Sequence, residues 1–234
     1  MMRIVDPPSK DATVAELEAR ADQLRSSKLF LDARDYYRAA LVKEQNSARL
    51  FNKIGMTEIM MQHYAEARKS LQQAIKADRK FADAYNNLGV VYYETGKYRA
   101  AVKEYRKAIA IDGKSASFFN NLGAALFSRK EFEPAIAAYQ HALELDPDVL
   151  GRSSRAGVQA QLPAPEDRAH YDYTVARLYA KMGLSDQSLE YLRKAMEEGY
   201  KDFKNVFKDE EFAQLRKDKR FTELVSMKVQ PIPE

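Results

Sequence analysis

Apolar residues recur along this chain with a fixed period of 34 residues, most clearly between Ala82 and Val149. The first copy contains Tyr85, Leu88, Gly89, Tyr92, Ala101, Tyr105 and Ala108, and the second contains Phe119, Leu122, Gly123, Leu126, Ala135, Tyr139 and Ala142. The first four positions of each copy are spaced i, i+3, i+4 and i+7, which places them on one face of an α-helix. A fixed period of this size indicates stacked helical units that bury their apolar faces against their neighbours.

The same period continues towards the N-terminus. The matching positions are filled by Leu17, Ala21, Leu24, Ala33, Tyr37 and Ala40 in one unit and by Phe51, Ile54, Gly55, Ala67 and Ala74 in the next. Because no residue is inserted between the units, we predict four contiguous repeats over residues 13–149. The Thr13-x-x-Glu16 pattern predicts a capping box at the start of the first helix.

The remaining segments break this period. Residues 1–12 are predicted to form a flexible or extended lead, and residues 150–168, rich in small, polar and helix-breaking residues, an inserted loop. The period returns late and predicts a fifth repeat over residues 169–199. Residues 200–227 keep no period but intersperse Phe, Val and Leu with charged residues, which predicts short helices that cover the last repeat. Residues 228–234 are predicted to be a tail.

The copies resemble the tetratricopeptide repeat, whose signature is an aromatic residue, Leu-Gly and Tyr in the first helix, Ala and an aromatic residue in the second, and a closing Pro. The match is carried by Tyr85-x-x-Leu88-Gly89-x-x-Tyr92, Ala101-x-x-x-Tyr105 and Pro147. Gly113 stands where the closing Pro is usual, and Leu126 replaces the Tyr of the signature. The resemblance implies an all-α, right-handed superhelical solenoid of antiparallel helix pairs. Residues 209–224 also resemble the helical segment that follows the repeats in many bacterial members of the family.

The amino-acid composition of the chain argues against several classes of function. The chain contains no cysteine, which excludes thiol catalysis and cysteine-based metal sites. His63, His141 and His170 are scattered, and we find no pattern that predicts a catalytic residue, a metal site or a cofactor. The 38 basic residues are interleaved with 34 acidic ones, so we expect no nucleic-acid partner. No apolar run is long enough to span a membrane. We expect a cytoplasmic protein, or a periplasmic one if a signal segment was removed.

A second stripe on the first helix of each repeat faces away from the core stripe, and the resemblance implies that it lines a concave groove. We predict a peptide-binding groove formed by Asn52, Lys53, Met56, Asn86, Asn87, Val90, Tyr93, Asn120, Asn121, Phe127 and Arg177. The apolar members make this stripe unusually apolar for a solvent-facing surface. The alternative is that Ile59, Tyr93 and Phe127 pack between neighbouring repeats.

The asparagines of this stripe have two interpretations. Asn is a poor residue for a helix interior, costing about 0.5 kcal/mol against Ala, so a compensating role is expected. Tetratricopeptide superhelices are known for asparagine ladders that hold a peptide backbone, and Asn87 and Asn121 match that position. Alternatively, each asparagine bonds a backbone carbonyl of the adjacent turn or repeat and stiffens the array.

The charged residues of the same face argue against one known ligand class. The variant of the family that binds an acidic C-terminus uses cationic residues and Asn, whereas this chain has Glu18, Asp22 and Asp83 at corresponding places. A carboxylate clamp of that kind is therefore not expected. Arg177 and Lys181 leave a weak attraction for an acidic ligand near the last repeat.

Together these features predict a non-enzymatic protein–protein interaction scaffold that binds an extended or helical peptide segment in its concave groove. Two alternatives stay open at this point. The chain could be an architectural module that oligomerises end to end through an incompletely covered terminal repeat, or an adaptor subunit of a larger complex. The sequence identifies neither the partner nor the oligomeric state.

Overall fold

The computed structural model describes residues 4–150 and 165–226, with side chains in the second stretch described from Arg168 onward. The first ten α-helices in these ranges are α1 (Val14–Ser26), α2 (Phe30–Lys43), α3 (Ala48–Met60), α4 (Tyr64–Ala77), α5 (Ala82–Glu94), α6 (Tyr98–Ile111), α7 (Ala116–Ser128), α8 (Phe132–Leu145), α9 (Pro165–Lys181) and α10 (Ser185–Glu197). Each odd-numbered helix packs most extensively against the even-numbered helix that follows it. The even-numbered helix then packs against the next pair. This arrangement confirms the predicted all-α solenoid of helix pairs.

The turn inside every pair has the same backbone conformation. One residue takes a left-handed φ between 60° and 76° in each turn, and these residues are Lys28, Gln62, Gly96, Lys130 and Gly183. The N–H of the following residue then bonds the carbonyl five positions earlier, as between Leu29 and Leu24 at 2.8 Å. This bond satisfies a carbonyl group that the ending helix leaves open. The period of the sequence is therefore repeated in the backbone, turn by turn.

Helices within a pair approach closely where the odd-numbered helix carries glycine. A Cβ atom added to Gly89 would lie 2.5 Å from Cε1 of Tyr105, and one added to Gly123 would lie 2.6 Å from Cε1 of Tyr139. Both tyrosine rings are buried in the core. Each ring therefore rests directly on the backbone of its partner helix, in space that any larger residue would fill.

The C-terminal segment covers the last pair. It consists of three 3₁₀ turns, Phe203–Phe207, Glu210–Phe212 and Leu215–Lys217, followed by α11 (Lys219–Ser226). Its buried residues are Val206, Phe212, Leu215, Phe221 and Leu224. This packing confirms the predicted helical segment after the repeats, although one aromatic residue of the segment, Phe207, is 56% exposed.

Three predicted segments lie partly or wholly outside the described residues. The inserted loop is predicted for residues 150–168, but α9 begins at Pro165, where proline suits the first turn of a helix. Residues 1–3 of the lead, residues 151–164 of that loop and the whole tail at residues 228–234 are not described. Residues 4–12 of the lead contain no helix and are hydrogen-bonded to α2.

Candidate ligand-binding site

The asparagines of the predicted groove bond one another across the repeats. Nδ2 of Asn87 donates to Oδ1 of Asn52 at 2.9 Å, and Nδ2 of Asn121 donates to Oδ1 of Asn86 at 3.0 Å. These four residues are at most 5% exposed, and Asn120 is buried as well. The bonds therefore link α3 to α5 and α5 to α7. The asparagines couple the repeats, as the second interpretation expected, but through side-chain carbonyls rather than backbone carbonyls.

The apolar residues of the predicted groove are buried too. Met56, Val90, Tyr93 and Phe127 are each at most 9% exposed. The ring of Phe127 packs edge-on against Phe132 at 5.0 Å and also against two rings of α9. The expectation of a solvent-facing apolar groove at these positions is therefore wrong. The alternative, stated for Ile59, Tyr93 and Phe127, is packing between neighbouring repeats, and the burial of these three residues agrees with it.

The cations at the N-terminal end of this face are neutralised. Nζ of Lys53 lies 2.7 Å from a carboxylate oxygen of Glu18 and 2.6 Å from one of Asp22, and Arg49 pairs with Glu18. Burial alone would raise the pKa of Asp22, but the bonds from Lys53 and Tyr37 lower it below its ordinary value. The predicted site residue Lys53 therefore lies within an ion-pair cluster between α1 and α3.

The predicted residue Arg177 is also paired, in this case with the C-terminal segment. Its Nη2 lies 2.5 Å from Oε1 of Glu211, and its Nε lies 3.4 Å from Oδ2 of Asp209. The hydroxyl of Tyr173 donates to the same Asp209 carboxylate at 2.9 Å. Arg177 thus ties the cover to α9, and its charge is already matched by two carboxylates.

Solvent reaches this face at the C-terminal ends of the helices. The residues at i, i+4 and i+8 from Asn52, Asn86 and Asn120 form a set that we call the inner rows, namely Asn52, Met56 and Met60 in α3, Asn86, Val90 and Glu94 in α5, and Asn120, Ala124 and Ser128 in α7. The last member of each row is accessible: Met60 is 48% exposed, Glu94 is exposed and Ser128 is half-buried. Sequence reasoning missed these three residues, although their 34-residue spacing was available to find them.

The helices that carry the second and third inner rows, α5 and α7, are joined near this accessible edge. The hydroxyls of Tyr93 and Ser128 lie 3.0 Å apart and share a hydrogen bond between α5 and α7. The inner rows thus combine a bonded, buried interior with an edge open to solvent. The edge presents a thioether, a carboxylate and a hydroxyl, groups that can contact a peptide.

Other chemistry is not apparent in the part of the chain that the structure describes. No group of three or more His, Cys, Asp or Glu residues within that part could hold a metal ion. Among the described helices, none is long and apolar enough to cross a membrane.

The asparagine bonds predict a measurable coupling between repeats. Asn87→Ala leaves the Asn52 carbonyl buried without its donor, which should cost about 1–3 kcal/mol of unfolding free energy. Asn52→Ala in the same chain should then add less than its separate cost, because the orphaned carbonyl is gone. Urea unfolding of the two single variants and the double variant measures this coupling. Gln73→Ala, exposed on α4, is the control. Additive losses in the double variant would show that the bond contributes nothing.

Comparisons with known proteins agree with this architecture. Tetratricopeptide repeat family models match residues 61–96, 91–128, 116–149 and 173–198. A search of curated proteins returns no match. A crystal structure of MamA is 24% identical, with a TM-score of 0.53, and the match covers 76% of this chain and 93% of that one.

Two further structures are similar in fold. YrrB, described as a TPR protein with an unusual peptide-binding site, is 19% identical with a TM-score of 0.51, covering 89% of this chain and 92% of that one. TTC0263, a thermophilic TPR protein of Thermus thermophilus, is 18% identical with a TM-score of 0.57, covering 92% of this chain and all of that one. At these identities the similarity shows the fold alone. The family-model matches identify residues 61–149 and 173–198 as tetratricopeptide repeats, and with the paired helices they show that the chain is a tetratricopeptide repeat protein.

Proposed function

We propose that the chain is a non-enzymatic protein–protein interaction scaffold that binds an extended or helical peptide segment across the accessible edge of its inner rows. The observation that carries the proposal is the exposed Met60, which occupies the same repeat position as the accessible Glu94 and Ser128 of the next two repeats. Met60 offers an apolar contact and its two counterparts offer polar ones, and protein interfaces combine both kinds of group. Tetratricopeptide repeat proteins generally bind protein partners, which supports the same class of function.

The remaining groove residues then have a positioning role in this proposal. The buried asparagines fix the spacing of α3, α5 and α7, while Met56, Val90, Tyr93 and Phe127 fill the space between the repeats. A rigid arrangement of this kind lowers the entropy cost of binding, because the edge is already formed before a ligand arrives. At the edge, Met60 would select an apolar side chain, and the Glu94 carboxylate would accept a hydrogen bond.

A peptide-display experiment tests this function. Peptides selected from a random library on the full chain should bind at least tenfold more weakly when Met60→Asp and Glu94→Lys are introduced together, because both edge contacts are lost. Fluorescence anisotropy with a labelled peptide measures the change in affinity. Circular dichroism checks that the variant is folded.

The matched control makes the same kinds of change, apolar to aspartate and glutamate to lysine, on even-numbered helices. Val42→Asp and Glu66→Lys replace an exposed apolar residue of α2 and an exposed glutamate of α4. These changes leave the net charge the same as in the edge variant. Equal losses in the two variants, or unchanged affinity in the edge variant, would overturn the proposed site.

A further inference from the structure

The N-terminal lead is bound along the outer face of α2 through its backbone. The N–H of Ile4 donates to the carboxylate of Asp32 at 3.3 Å, and the hydroxyl of Tyr36 donates to the carbonyl of Asp6 at 3.2 Å. Further along, Nζ of Lys43 donates to the carbonyl of Lys10 at 2.7 Å. The residue numbers of the bonded groups increase in the same order in the lead and in α2. The extended segment therefore runs parallel to the helix.

These contacts recognise a chain conformation rather than a sequence. All three bonds end on main-chain groups of the lead, which any extended segment with a free N–H at the first position can supply. Pro7 and Pro8 fix φ near −65°, which favours an extended, polyproline-like backbone without internal hydrogen bonds. The outer face of α2 therefore has the features of a site for extended, proline-containing peptides.

On the α2 side the site includes a buried carboxyl group. Asp32 is 4% exposed, and a polar group in such a place needs a hydrogen-bond partner. The donor is the backbone N–H of Ile4, whose own side chain is 72% exposed. The lead thus contributes its main chain to the contact while the side chain at the same position stays in solvent.

The lead does not fill this site. A cavity of about 430 Å³ remains between the lead and α2, lined by Val5, Pro7, Pro8, Tyr36 and Ala39 among others. On the α2 side its wall combines the Tyr36 ring and Ala39 with the charged residues Asp32, Asp35 and Arg38. An aromatic ring in a groove is a feature that proline-rich ligands contact. A segment with a bulkier apolar side chain at the Val5 position would bury more surface there than the lead does.

We propose that the outer face of α2 is a second peptide-binding surface, which takes an extended, proline-containing segment of a partner protein with a bulky apolar residue before its prolines. Residues 4–10 occupy this surface in cis, and the partner segment displaces them. The surface is separate from the inner rows, because Asp32, Tyr36 and Lys43 lie on an even-numbered helix, whereas the inner rows lie on odd-numbered ones. The proposal is therefore independent of the function proposed above.

The absence of native cysteine makes the displacement directly measurable. Ser9→Cys in the full chain accepts one fluorophore on the lead. The probe is a synthetic peptide of residues 4–11 in which Val5 is replaced by Phe. Adding the probe should lower the anisotropy of the label in a saturable way, because the lead is released. A probe with both prolines replaced by alanine should bind more weakly, because it loses the preformed extended conformation.

Two substitutions on α2 complete the test. Tyr36→Phe with Lys43→Ala removes two of the three bonds and leaves the buried Asp32 unchanged. The label should then be mobile before any probe is added, and the probe should bind about 30-fold more weakly. Tyr98→Phe with Lys76→Ala is the matched control, because neither residue contacts the lead, and it should behave as the parent chain.

Three outcomes would overturn the proposal. The label could be equally mobile in the parent and in the α2 variant, which would show that the lead is not held there. The probe could bind without changing the label, which would place it elsewhere on the chain. The probe could also fail to bind at concentrations far above those that saturate comparable peptide sites.

Discussion

Gly89→Ala should destabilise the chain by up to about 2 kcal/mol, even though alanine is the better helix former. The added methyl group would lie 2.5 Å from Cε1 and 2.6 Å from Cδ1 of Tyr105. That ring is fully buried, and protein interiors are close-packed, so it can move only by displacing its neighbours. Overpacking of this kind typically costs about 1–3 kcal/mol or more, and it outweighs the roughly 1 kcal/mol that alanine gains over glycine in a helix. Urea unfolding followed by circular dichroism measures the loss.

A control in the same repeat separates packing from backbone effects. At Gly113 an added Cβ would meet nothing nearer than a carbonyl oxygen at 3.6 Å, so Gly113→Ala should change stability by less than about 0.5 kcal/mol. Gly123→Ala, opposite Tyr139, should reproduce the Gly89 result because its Cβ would lie 2.6 Å from the ring. A small effect at both Gly89 and Gly123 would show that the helices can separate without cost.

The features of the fold that repeat in the sequence could be predicted from it. Apolar spacing fixes which side of a helix is buried, and the period fixes how helices follow one another. The capping box at Thr13 could also be predicted from the sequence. Thr and Glu three residues apart can each accept a hydrogen bond from the other's backbone N–H at the start of a helix. The structure confirms it, with the Glu16 carboxylate 2.8 Å from the Thr13 N–H and the Glu16 N–H 3.2 Å from the Thr13 hydroxyl.

The burial of the predicted groove could not be predicted in the same way. Helical periodicity places Phe127 opposite the core stripe of its own helix, but it does not say whether another repeat covers that side. The covering residues, His170 and Tyr171, come from α9, more than 40 positions later in the chain. Only the superhelical stacking of the pairs brings them together, and no local pattern encodes that stacking.

Two other features lack a sequence signal for different reasons. The left-handed turns at Lys28, Gln62 and Lys130 use residues with no preference for that conformation, so only Gly96 and Gly183 mark them in the sequence. The backbone is held in this conformation by the hydrogen bond that ends each turn and by the packing of the two helices on either side. The docking of the lead leaves no side-chain pattern either, because its bonds end on backbone groups.

Asp172 should make the chain less stable as the pH rises from 4 to 7. It occupies the position of Phe51, Tyr85 and Phe119 in earlier repeats and is 8% exposed. Burial, followed by repulsion from Glu198, raises the pKa of its carboxyl group to about 7. Glu190 adds further repulsion, while Lys194 and Arg168 act in the opposite direction without cancelling the shift.

The direction of this change in stability follows from which state, folded or unfolded, binds the proton. In the unfolded chain the carboxyl group has an ordinary pKa near 3.8, so between pH 4 and 7 the folded state holds a proton that the unfolded state has lost. Stability therefore falls as the pH rises through this window, by an amount on the order of 4 kcal/mol once both states are ionised. Below pH 4 both states are protonated, and the penalty disappears.

Asp172→Asn should therefore raise the melting temperature at pH 8 and leave it nearly unchanged at pH 4. The amide is close in shape to the protonated carboxyl group but cannot ionise, so the difference between the two chains should grow steadily across the window. Thermal unfolding at a series of pH values measures it, with Asp11→Asn, an exposed aspartate, as the control. If the variant and the parent chain kept parallel pH profiles, Asp172 would have to be ionised in the folded state at pH 4. Its charge would then be compensated by Lys194 and Arg168, and the last repeat would tolerate a carboxylate where its neighbours bury an aromatic ring.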